Sequence, residues 1–350
     1  MKRTAIEWTD VSWGPVIGCA RVSPGCDRCY AIPLAHMHAS NPNAKIAAAS
    51  AGTTRRGPDG VDWTGAVRLL HGRLTEPFTW TKPSKAFVNS QADLWYRQVP
   101  EDFIALVFAV MALAPEHQFQ ILTKRPARAG SQLRSRRFAD CVDAALTRIA
   151  ARPDARLRAG ALDLARQHLG NRAADGSMTP LPNVWIGVSV EDQQRATQRL
   201  PLLLRTPAAV RWVSAEPMLG AIDLAQAARG TRRRQSGSTP DLDALHWVVA
   251  GGESGRGSAV RPMHPAWPLG LLRQCQAADI PFQFKQWGSW GTSPLPGGDQ
   301  NFESRMVLPD DHTPIDPLTT AAAPMVRCGK KLAGRRLDGA IWHAWPVGYA

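Results

Sequence analysis

Eight short apolar or β-branched runs recur along the chain, and most are followed by charged or small polar residues: Val11–Val16, Val67–Leu70, Ala86–Asn89, Phe119–Leu122, Val184–Val188, Val210–Val213, Trp247–Ala250 and Pro281–Phe284. Strands covered on both faces read as near-continuous hydrophobic runs of this kind. Helices are expected between several of them. Pro100-Glu101-Asp102 opens one with a proline and two acids in the first turn, and Phe103–Ala114 forms its body. Glu191–Leu204 and Pro265–Ala278 are two more. Strands alternating with helices predict an α/β fold built on a parallel (β/α) barrel, complete or partial, with loop insertions; a doubly wound open sheet remains the alternative.

The 350 residues are 44% hydrophobic, enough for a sizeable core and too many for a disordered chain. Residues 1–292 are expected to form the barrel-like domain, with a cysteine loop at 19–29 and an arginine-rich insertion near 128–180. Residues 293–350 are expected to be an irregular basic extension packed on it. Ala39–Asp62, Gly230–Pro240 and Ser293–Pro324 have loop composition, and poor order is expected in the last two. The longest apolar run, Phe103–Ala114, has twelve residues, too few to span a bilayer. Met1–Asp10 has basic residues with no apolar stretch behind them, so no membrane association and a cytoplasmic location are expected. Phosphate-loop, zinc-protease and nucleophile-elbow patterns do not occur in the sequence.

Lys and Arg number 42 against 29 Asp and Glu, a net charge of +13 that favours polyanionic partners. The stretch 124–158 holds ten basic and three acidic residues, which marks it for contact with DNA or RNA; solvated helix faces are the bland alternative. A second basic stretch, Arg327–Arg336, has five cations and no acid. Thirteen tryptophans include Trp63, Trp80, Trp95, Trp287 and Trp290 near expected loop ends, where they suit either base stacking or packing.

Cys19, Cys26 and Cys29 fall within eleven residues, directly after the first expected strand. The Cys26-x2-Cys29 pair can face one metal centre, and Pro24-Gly25 can fold Cys19 back beside it. Arg21 and Arg28 favour thiolates there. An iron–sulfur cluster suits three thiolates with one position open; zinc is the competitor and would need His36 or His38 as a fourth ligand.

Polar residues also follow the other runs, at the strand ends where α/β folds gather their chemistry. They are Asn89-Ser90 with Asp93, Thr123-Lys124-Arg125, Ser189 with Glu191 and Asp192, Ser214 with Glu216, Gly251-Gly252-Glu253, and Lys285-Gln286. Each charged residue equally suits an ion pair between adjacent strands.

The cysteine loop, with Tyr30 after the last thiol, resembles that of radical S-adenosylmethionine (SAM) enzymes. The first spacer is six residues here, against their usual three. The whole chain resembles a phage-associated bacterial family of unknown function with a three-cysteine motif. The resemblance rests on IEWTDVSWGPVIGC near the start, CDRCYA (Cys26–Ala31), FVNSQADL (Phe87–Leu94), LTKRP (Leu122–Pro126) and PNVWIGVSVED (Pro182–Asp192). SAEPMLG (Ser214–Gly220), GGESG (Gly251–Gly255), RPMHPAW (Arg261–Trp267) and FKQWG (Phe284–Gly288) extend it.

The radical-SAM resemblance implies that Cys19, Cys26 and Cys29 ligate a [4Fe–4S] cluster whose fourth iron takes SAM, with Tyr30 packing beside it. Cleavage of SAM by one electron, supplied by an electron donor, would then start hydrogen abstraction from a substrate. For such a ligand, Asn89, Asp93, Glu191, Glu216 and Glu253 suit the ammonium or ribose, and Lys124, Arg125 and Lys285 suit the carboxylate or a phosphate. Gly251 and Gly252 permit close backbone approach. The expected function is a radical-SAM-like enzyme modifying a nucleic-acid or nucleotide substrate. The alternative is a non-enzymatic nucleic-acid-binding protein of phage biology or defence with a structural metal.

Overall fold

A computed structural model describes residues 4, 6–230, 242–255, 259–292, 302–309, 322–346 and 348. Seven of the expected runs become strands of one sheet: β1 (Val11–Trp13), β2 (Lys85–Val88), β3 (Gln118–Thr123), β4 (Val184–Ser189), β5 (Val210–Ala215), β6 (Trp247–Gly251) and β7 (Phe282–Gln286). Every residue of β4 and β6 is buried, as continuous apolar runs require of strands covered on both faces. Parallel registers such as Val11↔Ala86, Phe87↔Gln120, Val249↔Ser214 and Val248↔Phe282 fix the pairing. The spatial order β1-β2-β3-β4-β5-β6-β7 follows the chain. A doubly wound sheet reverses its order part-way, so the sequential winding selects the partial (β/α) barrel over the open-sheet alternative.

The eighth run is the exception. Arg68–Leu69, inside Val67–Leu70, pairs antiparallel with Val16–Ile17 and stays outside the main sheet. Leu69 is opposite Val16, so the run serves the far end of the first expected strand and not a crossover.

The chain divides into two compact units. The first comprises Met1–Val22, Cys29–Gly187 and Arg205–Ala209; the second comprises Ser23–Arg28, Val188–Leu204 and Val210–Ala350. In the first, α1 (Ala31–Ala39) follows the cysteine loop, and α2 (Glu101–Leu113) is buried from Phe103 onward. The acids Glu101 and Asp102 sit in the first turn of α2, where the helix dipole favours negative charge. Next come α3 (Pro126–Leu133), α4 (Arg136–Ala150) and α5 (Ala161–Gly170), so the arginine-rich stretch is largely helical. α2 and α4 pack together, with Phe108 and Phe138 edge to face at 5.5 Å. Inside the Ala39–Asp62 loop a hairpin pairs Thr54–Gly57 with Gly60–Trp63.

The second unit carries α6 (Gln193–Leu204), α7 (Leu224–Arg229) and α8 (Ala266–Ala277) with strands β5 to β7. Within the stretch expected to be irregular, Glu303–Val307 and Ala323–Arg327 pair antiparallel, and Gly291–Thr292 joins them. The segment around Trp342–Ala344 runs along β7: Phe284 N donates to Trp342 O at 3.0 Å and Ala344 N to Phe282 O at 3.1 Å. The Trp247 and Trp345 rings stack beside it at 4.9 Å. The expectations for Arg232–Arg234 and for most of 293–324 fall outside the described residues. Among the described residues no helix is long and apolar enough to cross a membrane.

Candidate functional site

In the first unit the site grows from the ends of β1, β2 and β3. Gly18, at φ +107°, bonds through its N–H to Gln91 O at 3.1 Å and lies against the Ala66 carbonyl, where a side chain would not fit. Cys19 follows it. Asn89 continues β2 with φ +60°, a left-handed conformation that asparagine tolerates. Its Oδ1 accepts from Val16 N at 3.0 Å, while its Nδ2 is buried without a hydrogen-bond partner among the described residues.

Asp93 is the hub of this cluster. Its carboxylate accepts from Trp95 N (3.0 Å), Thr123 Oγ1 (2.8 Å), Lys124 N (2.9 Å) and Arg125 Nη1 (2.8 Å). Arg125 also donates to Ala20 O at 2.9 Å, lies 4.8 Å from the Tyr96 ring centre, and places Nη1 3.8 Å from Cys19 Sγ. A guanidinium therefore faces the first thiol, fixed there by Asp93. Burial and the Asp93 charge nonetheless push the Cys19 thiol up to about 11, with Arg125 pulling it down in part. Cys29 is half-buried and packs with Cys19 against Ile17, Ala31, Ile32, Ala35 and Trp63. Tyr30 is 55% exposed, and its hydroxyl donates to Ser90 O at 3.0 Å.

The second unit holds the tip of the cysteine loop, Ser23–Arg28. Pro24–Cys26 forms a single 3₁₀ turn, closed by Cys26 N donating to Ser23 O at 2.8 Å. Two buried carboxylates grip it. Glu191, just past β4, accepts from Ser23 Oγ and, at 2.8 Å, from Arg199 Nη1 on α6. Gly25 lies flat against the same carboxylate. Glu253, past β6, forms a two-pronged pair with Arg261, whose guanidinium reaches on to Pro24 O at 3.0 Å and Asp27 Oδ2 at 3.3 Å. In both grips the arginine stands eight positions after the carboxylate.

Glu216 and Lys285 form a third pair at 2.7 Å, largely screened from solvent. Glu216 Oε1 is buried without a hydrogen-bond partner among the described residues. Gly251 and Gly252 serve packing: a Cβ at 251 would meet Glu216 Cδ at 3.4 Å, and one at 252 would lie 2.6 Å from Trp287 C. Seven sequence-expected residues thus fall in the second unit (Cys26, Glu191, Glu216, Gly251, Gly252, Glu253, Lys285) and seven in the first (Cys19, Cys29, Tyr30, Asn89, Asp93, Lys124, Arg125).

A family model described as a protein of unknown function, DUF5131, matches residues 3–346. The chain belongs to the DUF5131 family. No curated protein and no solved structure matches it.

The cysteine loop of this DUF5131 chain offers an all-sulfur donor set, whose chemistry fits an iron–sulfur centre better than a hard cation. Among the described residues no group of three or more His, Cys, Asp or Glu side chains is gathered to hold an ion. His36, the zinc alternative's fourth ligand, has its Nδ1 3.2 Å from Thr54 Oγ1.

Ser23, Arg199 and Arg261, which hold the loop and its carboxylates, were missed from the sequence, while Gly25 and Thr123 were named there only as a turn residue and a strand-end polar group. The nucleic-acid contact was expected at 124–158, where at least six of the cations are engaged with protein groups. Arg125, Arg137, Arg152 and Arg158 pair with Asp93, Glu101, Asp154 and Glu116, and Arg128 and Arg134 bond backbone carbonyls. Of the tryptophans noted above, Trp63, Trp95, Trp287 and Trp290 are buried.

Proposed function

We propose that this chain is an iron–sulfur enzyme of the radical-SAM-like kind, acting on a nucleic-acid or nucleotide substrate. The observation that carries the reading is the cysteine loop after β1 of a sequentially wound parallel sheet, with Arg125 beside the Cys19 sulfur and the loop tip tied to Glu191 and Arg261. Cys19, Cys26 and Cys29 would hold a [4Fe–4S] cluster, which would supply one-electron reduction of SAM with an electron from an external donor.

The chain's own residues do the rest. Arg125 offsets negative charge on the Cys19 sulfur and is itself fixed by Asp93. Glu191 and the Glu253–Arg261 pair hold the turn from Ser23 to Asp27, which carries Cys26. Glu216 keeps one carboxylate oxygen for a cationic ligand group such as an ammonium, while Lys285 balances its charge.

The test is anaerobic reconstitution of the full chain with iron and sulfide, followed by SAM and dithionite. 5′-Deoxyadenosine and methionine are expected, and Cys29→Ala removes both. A loaded cluster that leaves SAM intact overturns the reading. A colourless protein with about one equivalent of zinc favours the structural-metal alternative.

A further inference from the structure

The second unit contains a cleft of about 600 Å³ that the site above does not use. Leu269 and Trp287 line it, and Leu332 and Ile341 stand at its rim, 58% and 51% exposed. The turn Gly334-Arg335-Arg336, which follows the short helix Lys330–Ala333, also lines it. This turn is anchored: Trp287 N donates to Gly334 O at 3.2 Å, Trp287 Nε1 to Arg336 O at 2.8 Å, and Arg336 Nη1 to Gly339 O at 2.8 Å. Arg327–Arg336 carries five cations and no acid. Arg327 is held by Glu303 at 2.6 Å, and among the described residues Asp338 is the one acid lining the cleft.

Cationic and exposed apolar groups thus share one cleft. Inorganic phosphate would satisfy only the arginines, and an uncharged apolar ligand only Leu332 and Ile341. A nucleotide unit satisfies both, because its phosphates are anionic and its base has apolar faces. In a duplex those faces are stacked away, so only an unpaired strand can present them. The volume lies in the range, roughly 300–1,000 Å³, of sites that enclose molecules of that size.

We infer that this cleft binds single-stranded nucleic acid, with one base against Leu332 and Ile341 and its flanking phosphates on Arg335 and Arg336. The inference rests on the nucleic-acid half of the reading above and not on the cluster chemistry. It moves the contact from 124–158 to the cleft.

The test is fluorescence anisotropy of the full chain with a labelled single-stranded oligonucleotide of about 15 nucleotides, against its duplex. Salt-dependent binding is expected, weaker by about tenfold or more for the duplex. The Arg335→Glu/Arg336→Glu variant should lose about tenfold or more in affinity and lower the log–log salt slope by about 1.4. Leu332→Asp, at a side chain mostly in solvent, should weaken binding without disturbing the fold. Equal binding by the folded variants, or a duplex bound as tightly as the single strand, overturns the inference. Intact oligonucleotide binding without SAM cleavage removes the cluster reading alone; SAM cleavage without oligonucleotide binding removes this one alone.

Discussion

Gly25 and Glu191 are in contact so close that a Cβ on residue 25 would stand 2.5 Å from Glu191 Oε1 and 2.8 Å from Cδ. The carboxylate has nowhere to retreat, because Ser23 and Arg199 hold its two oxygens and the side chain is fully buried. Gly25→Ala should therefore displace the loop tip and lower stability by about 1–3 kcal/mol. Urea unfolding of the metal-free protein measures this, and iron bound after reconstitution should fall in parallel. An alanine variant with wild-type stability and iron content would show that the contact is slack.

The Glu191–Arg199 pair is buried on both sides, with side-chain exposures of 0% and 6%. Removing one partner strands the other charge, so Arg199→Met should cost about 3–5 kcal/mol. Glu191→Leu/Arg199→Met should recover most of that stability and still lose the Ser23 bond. The double variant is thus expected to unfold near the wild-type urea midpoint while reconstituting poorly.

Arg261 uses its planar fork to bind Glu253 and the loop tip at once. A lysine keeps the charge and loses the fork, so Arg261→Lys should weaken the hold on Pro24 and Asp27 by about 1–2 kcal/mol. Hydrogen exchange at the Cys26 and Asp27 amides reads this directly. Both amides bond within the loop, to Ser23 O and Pro24 O, and should exchange faster in the variant.

His117 lies in the core of the first unit, with Nε2 3.1 Å from Pro77 O and its ring 5.0 Å from Trp80. Burial holds its pKa below the ordinary 6.5, against a smaller opposite pull from Glu116. The folded form thus prefers the neutral ring. That contribution is complete above pH 6.5 and is lost as pH falls below it. Urea midpoints at about pH 7.5 and about pH 5.5 should differ less in His117→Phe than in wild type. Equal differences would show that His117 is not among the groups that destabilise the protein in acid.

The strands of the main sheet were legible because burial on both faces writes itself as runs such as Val184–Val188. Val67–Leu70 misled because local hydrophobicity does not name a partner: Leu69 pairs with Val16 at the tail of the first run. At the site, the residue types were legible and their employment was not. Asp93, Glu191 and Glu253 read as groups facing a ligand, yet each carboxylate is engaged by an arginine. Two of those arginines lie eight positions on, within the same strand-to-helix or loop segment, so that recurrence was present in the sequence and went unread. Asp93 and Arg125 are 32 positions apart, on the ends of different strands, and only the fold brings them together.

The strip of chain around Trp342–Ala344 has a consequence for how this protein behaves in a crowd. Without it, the outer rail of β7 would present a ladder of unsatisfied amides and carbonyls, the kind of template on which a second molecule can zip. Phe282 and Phe284 are already capped from within the same chain. That rim is closed to fibril-like growth, and the Trp247–Trp345 stack acts as its latch.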